Sequence, residues 1–169
     1  MTFVNPYRAL VVHREALDIF TETARELPAC VRSWTPAQFN DTYAPGKRTA
    51  NRILLHLLHV ELVDSVRLRM AISTPGYSVQ PFDPDAWMKA ELLHNGVLVV
   101  AAWSALRAVN ILVWAGLTPE EWDVPFAHPE CGAMTLRDLA EIWAGHDLHH
   151  LAQLRAIGAK ACARDTRSS

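Results

Sequence analysis

The stretch from Thr135 to Ile157 constrains the fold most, because it has the periodicity of one amphipathic helix. Its apolar stripe recurs at steps of three or four residues, which places the members on one face of a helix. The stripe consists of Leu139, Trp143, His146, His150, Leu154 and Ile157. Two histidines therefore lie on the side of the helix that should face the core. Because they are four residues apart, both imidazoles can reach one metal ion from a rigid backbone.

A His-x-x-x-His pair is only moderately specific for a metal, since two hydrogen-bonded histidines at the edge of a core give the same pattern. Residue 147 is Asp, whereas the helix of zinc proteases has Glu directly after its first histidine. His149 lies about 100° around the helix from His150 and is expected to point elsewhere. A metal site would therefore need a third ligand from another part of the chain.

The composition is that of one ordinary globular domain. The chain has 169 residues, of which 50% are hydrophobic and 20% are charged, and a chain of this size can bury a sizeable core. We therefore expect a single domain over residues 1–169, in which the small and polar residues 159–169 form a frayed tail. The net charge of −2 reflects no basic excess, which argues against a nucleic-acid partner.

The compartment is predicted from targeting signals and cysteine usage. The first residues do not show the charged start and apolar run of a secretory signal, and no uninterrupted apolar stretch reaches membrane-spanning length. Cys30, Cys131 and Cys162 are odd in number and share no short spacing, so they indicate reduced thiols. We expect a cytoplasmic protein without a membrane partner.

Four long helices account for most of the chain. They are predicted over residues 6–27, 50–72, 84–115 and 135–157. Pro28 ends the first helix, Thr49 caps the second, and Gly96 is a tolerated weak point in the third. Long connections lie between them, at residues 29–48, 73–84 and 117–134. No alternating apolar pattern indicates a sheet, so the prediction is an all-α four-helix bundle.

The third ligand must be chosen between two histidines of the second helix, His56 and His59. This helix is apolar around more than half of its circumference, so periodicity does not show which histidine faces the last helix. From the residues alone, both alternatives stay open.

Two segments of the chain carry a family resemblance: APGKRTANRILLHLLHVE at residues 44–61 and HPECGAMTLRDLAEIWAGHDLHHLAQL at residues 128–154. They resemble the DinB-like family, also described as DinB/YfiT-like metalloenzymes, and the helical order fits from about residue 6 to residue 158. The resemblance implies a four-helix bundle with a divalent metal ion held by three histidines. Matching the segment before the second helix to the family pattern places the first ligand at His56, and His146 and His150 match the other two.

One position departs from the family pattern. Members often have Trp where this chain has Arg48, just before the second helix. The difference lies in the loop at the mouth of the site, so it leaves the ligand set intact and leaves the substrate undetermined.

The resemblance also implies a metal-dependent enzyme. Three imidazoles leave coordination positions open, where a divalent ion can activate water or deprotonate a thiol. Some relatives attach a low-molecular-weight thiol to an electrophile, and others are described as metal-dependent hydrolases. We predict a thiol S-transferase that uses Zn or Ni, with a small-molecule thiol and an electrophilic substrate as partners. The alternatives are a metal-dependent hydrolase and a non-catalytic metal-binding bundle, and a homodimer is expected because family members often dimerise.

The remaining polar and aromatic residues are expected to have supporting or packing roles. Asp147 and Gln153 either orient the ligand imidazoles or form local hydrogen bonds. Cys131 is expected to be a packed residue and not a reactive thiol. The other histidines are expected at the surface or packed, and among them His128 could line the pocket: His13, His59, His94, His128 and His149. Trp103 and Trp143 are expected in the core.

Overall fold

The fold is known from a computed structural model that describes residues 4–91 and 95–165, with side chains as far as Lys160. Its elements in chain order are α1 Arg8–Val11, α2 Ala16–Val31, a 3₁₀ turn Gln38–Asn40, α3 Ala50–Ser73, α4 Pro84–Ala90, α5 Gly96–Ala115, α6 Pro119–Trp122, β1 Pro125–His128, β2 Gly132–Thr135 and α7 Leu136–Asp165. The long helices α2, α3, α5 and α7 form the predicted four-helix bundle.

The helices α3 and α5 are parallel neighbours. Gly96 at the start of α5 lies against Asn51 at the start of α3, and Asn110 lies beside Ser65 further along the same two helices. Parallel packing of consecutive long helices requires a connection that crosses the full length of the bundle. The described part of this connection, residues 74–91 and 95, contains the short helix α4.

Two apolar clusters fill the bundle, one towards each end. The first joins the N-terminal halves of α3 and α5 to the C-terminal halves of α2 and α7, and the second joins the opposite halves. The helices α2 and α7 therefore run in one direction and α3 and α5 in the other. This arrangement brings the first turns of α3 beside the middle of α7.

The first predicted helix is two helices in the structure. Residues 12–15 separate α1 from α2, and His13 between them has a left-handed backbone with φ of 64°. The prediction that Pro28 ends the helix is wrong, because α2 continues to Val31. Pro28 removes only one hydrogen bond of the last turns, and the buried side chains of Leu27 and Val31 anchor those turns to the core.

The third predicted helix is also broken. It consists of α4 and α5, and the side chain of Asn95 caps α5 by accepting a hydrogen bond from the Leu98 N–H at 3.0 Å. Gly96 is a packing requirement and not merely a weak point, since a Cβ there would lie 2.3 Å from Cδ1 of Phe39 and 2.8 Å from Oδ1 of Asn51. Residues 92–94, with His94, lie outside the described residues.

The connection after α5 contains a small sheet that the sequence did not predict. After α6, strands β1 and β2 form an antiparallel hairpin in which Phe126 is opposite Met134. Both side chains are buried against the bundle. Strands of four residues are too short to show an alternating pattern in the sequence, which explains why the sheet was missed.

The last helix begins as predicted and ends later than predicted. Its start has a reciprocal cap, in which the Asp138 N–H donates to Thr135 Oγ1 at 3.2 Å and the Thr135 N–H donates to Asp138 Oδ2 at 2.8 Å. The helix α7 continues beyond Ile157 to Asp165. It therefore covers most of the segment 159–169 that was expected to fray, and residues 166–169 lie outside the described range.

By length and composition alone, α5 could span a membrane, with a mean hydropathy of 1.9 for its most apolar window. Arg107 is a charged residue in the middle of this apolar helix, and it forms ion pairs with carboxylates in the core of the bundle. A core helix of a bundle passes the same length and composition test, so the result is weak support for a membrane span.

Two glycines of α7 give a matched test of packing. A Cβ at Gly145 would lie 2.3 Å from Cβ of Tyr7, whereas a Cβ at Gly158 would approach the ring of Trp34 to an ordinary 3.4 Å. We expect Gly145→Ala to lower the free energy of unfolding by about 1–3 kcal/mol, because Tyr7 must move. Gly158→Ala should be neutral or raise it by up to about 1 kcal/mol through helix propensity. Urea unfolding measures both, and equal effects would contradict the proposed packing of Tyr7.

Candidate metal centre

Three histidines from two helices meet where α3 passes α7. They are His56 of α3 and His146 and His150 of α7, and each has a side-chain nitrogen within 4.8 Å of the nitrogens of the other two. Nε2 of His56 lies 2.9 Å from Nε2 of His146. The ring centroids are 4.4 to 5.0 Å apart. All three residues are at most 8% exposed.

The antiparallel packing of α3 on α7 decides which histidine of α3 joins this cluster. His56 faces α7. His59 comes three residues later and is turned towards α4, where its ring packs edge-on against Trp87. Nε2 of His59 lies 3.2 Å from a carboxylate oxygen of Glu91. Of the two alternatives left open by periodicity, the structure brings His56 to the pair on α7.

Gln153 fixes the orientation of one imidazole of the cluster. Its Oε1 lies 2.9 Å from Nδ1 of His150 and accepts the hydrogen bond from that nitrogen. The Nε2 lone pair of His150 is then left for the centre of the cluster, an arrangement typical of metal-ligating histidines. The amide nitrogen of Gln153 donates to Nε2 of His149 at 2.9 Å. Of the two roles considered for Gln153, the geometry favours orientation of a ligand.

Burial keeps the three imidazoles neutral near pH 7. It lowers the pKa of His56 to about 3, with His150 and Arg48 acting in the same direction. It lowers the pKa of His150 to about 4 against the opposing hydrogen bond from Gln153, and it lowers the pKa of His146 well below its ordinary value. Neutral imidazole is the form that binds metal ions.

The facing nitrogens of His56 and His146 favour a cation between their rings. Within the described part of the chain, the buried Nδ1 atoms of His56 and His146 have no hydrogen-bond partner. The Nε2 atoms of the same residues face each other, so two neutral lone pairs would repel unless one nitrogen carried the proton. A divalent cation held by three imidazoles removes this conflict, and such a donor set suits Zn, Ni, Cu and Fe alike.

A pocket of about 380 Å³ opens from the cluster to solvent. Its lining residues are Tyr7, Tyr43, Gly46, Lys47, Arg48, His56, His149, His150 and Gln153. His149 is exposed, as expected, but it borders this mouth with its ring 5.1 Å from that of His150. Tyr7 and Tyr43 were not predicted as pocket residues, because Tyr7 is far from both motifs and Tyr43 lies just outside the first one.

A larger pocket of about 650 Å³ lies elsewhere, between α3 and the crossing segment. Its walls are mostly apolar and include Val66, Phe82 and Trp87, and none of the three clustered histidines lines it. We assign the chemistry to the smaller pocket, since that is where ligating side chains converge.

Behind the cluster, the buried guanidinium of Arg107 connects all four long helices. Its Nε and Nη2 donate to Glu61 of α3, each to Oε2, at 2.9 and 2.5 Å. Its Nη1 donates to Asp147 of α7 at 2.5 Å and to Thr23 of α2 at 3.3 Å. Three aromatic rings have their centroids 4.7 to 5.2 Å from its central carbon: Phe20, Trp103 and Trp143.

Asp147 belongs to this network and not to the imidazoles. Burial raises its pKa to about 6, although the Arg107 guanidinium opposes the shift. Its hydrogen bonds go to Arg107 and Thr23, on other helices, so neither of its two predicted roles describes it. Because it follows His146 directly, the network holds the backbone of a clustered histidine in place.

The other candidate residues lie as expected. The Nδ1 atom of His128 accepts hydrogen bonds from the backbone N–H groups of Glu130 and Cys131, so His128 organises the turn of the hairpin and does not line the pocket. Burial raises the pKa of the Cys131 thiol, which agrees with a packed residue. Trp103 and Trp143 are buried in the core.

The fold and this cluster define a four-helix-bundle protein with three convergent histidines. The sequence profile of the DinB superfamily matches residues 19–154, and the chain belongs to this superfamily. The solved structure of YfiT from Bacillus subtilis matches with a TM-score of 0.78 and 20% identity, and the match covers 86% of this chain and 85% of YfiT. YfiT is described as a probable metal-dependent hydrolase with an unusual four-helix bundle topology.

Relatives identified by sequence have similar names. A protein of Oceanobacillus iheyensis named "Putative metal-dependent hydrolase" is 24% identical over 150 residues, which cover 87% of this chain and 86% of the relative. A second protein of that organism with the same name is 25% identical over 147 residues, covering 85% and 83%. The family and the fold predicted from the sequence are thus confirmed.

Removal of Arg107 should leave two carboxylates buried without their cation. We expect Arg107→Met to lower the free energy of unfolding by about 3–5 kcal/mol. The control is Arg137→Met, which breaks the exposed ion pair with Asp123 and should cost no more than about 1 kcal/mol. Both values come from urea unfolding.

A second comparison separates charge from packing at the same position. If the loss arises from unpaired charge, adding Glu61→Gln and Asp147→Asn to the Arg107→Met variant should recover part of the stability. No recovery would mean that Arg107 acts through its packing against the aromatic rings.

Proposed function

We propose that the protein is a metal-dependent thiol S-transferase in which His56, His146 and His150 hold a divalent ion, zinc or nickel. The observation that carries the proposal is the convergence of three buried imidazoles, two of which, His56 and His150, line a pocket that opens to solvent. Three protein ligands with an open side are the arrangement of catalytic metal sites, whereas structural sites are closed by four protein ligands.

When bound, the ion would supply a thiolate nucleophile at neutral pH, because metal coordination deprotonates a thiol. The residues of the chain would orient the ligands and shape the mouth of the pocket. Gln153 holds His150 in the tautomer that presents Nε2 to the centre. Tyr7, packed edge-on against the ring of His146, closes one side of the mouth. The electrophile enters between this side and the loop that carries Lys47.

The residues that line the pocket favour thiol transfer over hydrolysis. A metal ion activates bound water by itself, but metalloproteases add a carboxylate base beside the metal, and none of the described lining residues is a carboxylate. The nearby carboxylate of Asp147 is engaged by Arg107. A thiol that loses its proton on coordination needs no such base.

Hydrolysis is the second candidate, and the names of the relatives support it. In that case His149 is the residue best placed to accept a proton from water. It is exposed at the mouth, beside His150, and its Nε2 would have to exchange the hydrogen bond from Gln153 for one from water. A metal that only braces the bundle is the third alternative, and slow metal exchange with chelators would support it.

Metal content tests the ligand set. We expect about one divalent ion per chain in the wild type and its loss in His56→Ala, His146→Ala and His150→Ala, measured by elemental analysis after purification without a His tag. The controls His59→Ala and His149→Ala should keep the metal. Metal at a hundredfold excess over its Kd should stabilise the wild type by about 2.7 kcal/mol. A ligand variant with full metal content would refute the assignment.

Turnover tests the reaction. The metal-loaded protein should join a small thiol to an electrophile such as monochlorobimane, followed by fluorescence, and His56→Ala should lose this activity. The parallel assay is hydrolysis of p-nitrophenyl acetate without thiol. Activity in the second assay only, lost in His149→Ala, would establish the hydrolase and reject the transferase.

A further inference from the structure

We propose that Arg48 selects substrates that carry a carboxylate next to their metal-binding group. The inference rests on the proposed metal site and adds to it the charge of the molecule that enters. The position of Arg48 directly before α3, the charges around the mouth and the anchoring of the guanidinium all support it.

The position of Arg48 brings its positive charge to the clustered histidines. It lines the same pocket as His56 and His150. A substrate bound at the base of the pocket therefore lies within the field of this guanidinium.

The mouth has an excess of positive charge. Lys47 and Arg48 both line it, and no Asp or Glu is among its described lining residues. The lining also contains the hydroxyl-bearing side chains of Tyr7 and Tyr43, which can donate hydrogen bonds. Donors and cations without a carboxylate in the described lining form a surface that can bind an anionic group.

An ion pair from outside the mouth holds Arg48 in place. Its Nη2 donates to Oδ1 of Asp85 in the first turn of α4 at 2.8 Å. A guanidinium has five N–H donors in a planar fork, so this bond leaves donors for a ligand. The side chain is 35% exposed, which leaves it reachable from the pocket. Asp85 thus positions the guanidinium, and its negative charge partly offsets the positive charge of Arg48.

The experiment measures how charge affects binding to the cobalt(II)-loaded protein. Three thiols of similar size are titrated at constant buffered pH: 3-mercaptopropionate, which is anionic; 2-mercaptoethanol, which is neutral; and cysteamine, which is cationic. The readout is the sulfur-to-cobalt charge-transfer absorption, which gives an apparent Kd for each thiol. Comparing one thiol between variants cancels its intrinsic acidity.

We expect Arg48→Gln to weaken binding of 3-mercaptopropionate about tenfold, as for loss of a hydrogen bond to a charged group. Binding of 2-mercaptoethanol should change less than about twofold, and binding of cysteamine should be unchanged or tighter. Arg48→Lys should recover part of the loss. The matched control Lys47→Gln alters an exposed charge and should have a smaller effect.

The outcomes separate this inference from the proposed function. Equal weakening of all three thiols in Arg48→Gln, or no weakening of 3-mercaptopropionate, would overturn the role of Arg48 while leaving the metal site standing. Failure of the wild-type protein to bind cobalt, zinc or nickel would overturn the proposed function itself. The preference should also weaken at high salt, because the guanidinium is partly exposed.

Discussion

The four-helix arrangement depends on one buried cation, the guanidinium of Arg107. It donates hydrogen bonds to side chains of the other three long helices, at Thr23, Glu61 and Asp147. Burying charged groups costs free energy unless their hydrogen-bond geometry is nearly ideal. The helices therefore cannot slide far past one another without losing the hydrogen bonds to Arg107. The network therefore specifies the register at which α3 passes α7. That register decides whether His56 reaches His146, since one helical turn of sliding would separate them by about 5 Å.

The part of this structure that could be predicted from sequence is the part determined within single helices. The stripe of α7 places His146 and His150 on the core face because helical geometry alone relates residues four apart, and the bundle follows from four such apolar segments. The choice of His56 needed more than periodicity, because α3 is apolar nearly all round. It came from the resemblance of the segment before α3 to a family pattern, and the structure places His56 in the cluster.

The features that were missed all depend on contacts between distant segments. The absence of a side chain at Gly96 allows the close approach of Phe39, and the position of Tyr7 depends on the absence of a side chain at Gly145. No local pattern contains these pairs. Arg107 could have been identified from the sequence, since a charged residue in the middle of an apolar helix requires a buried partner. The sequence did not show which carboxylate would provide it.

The charges of the site determine what kind of ligand would complete it. Three neutral imidazoles would leave the full double charge of a divalent ion uncompensated by its ligands. The nearest carboxylates do not help, because Asp147 is paired with Arg107 and Asp85 is paired with Arg48 at the rim. With these carboxylates engaged, an anion from solution is the favoured ligand for the open side. In the proposed function, the same charge imbalance would draw a thiolate to the ion, and a carboxylate would bind the guanidinium donors of Arg48 that Asp85 leaves free, so one molecule with both groups would engage both cations at once.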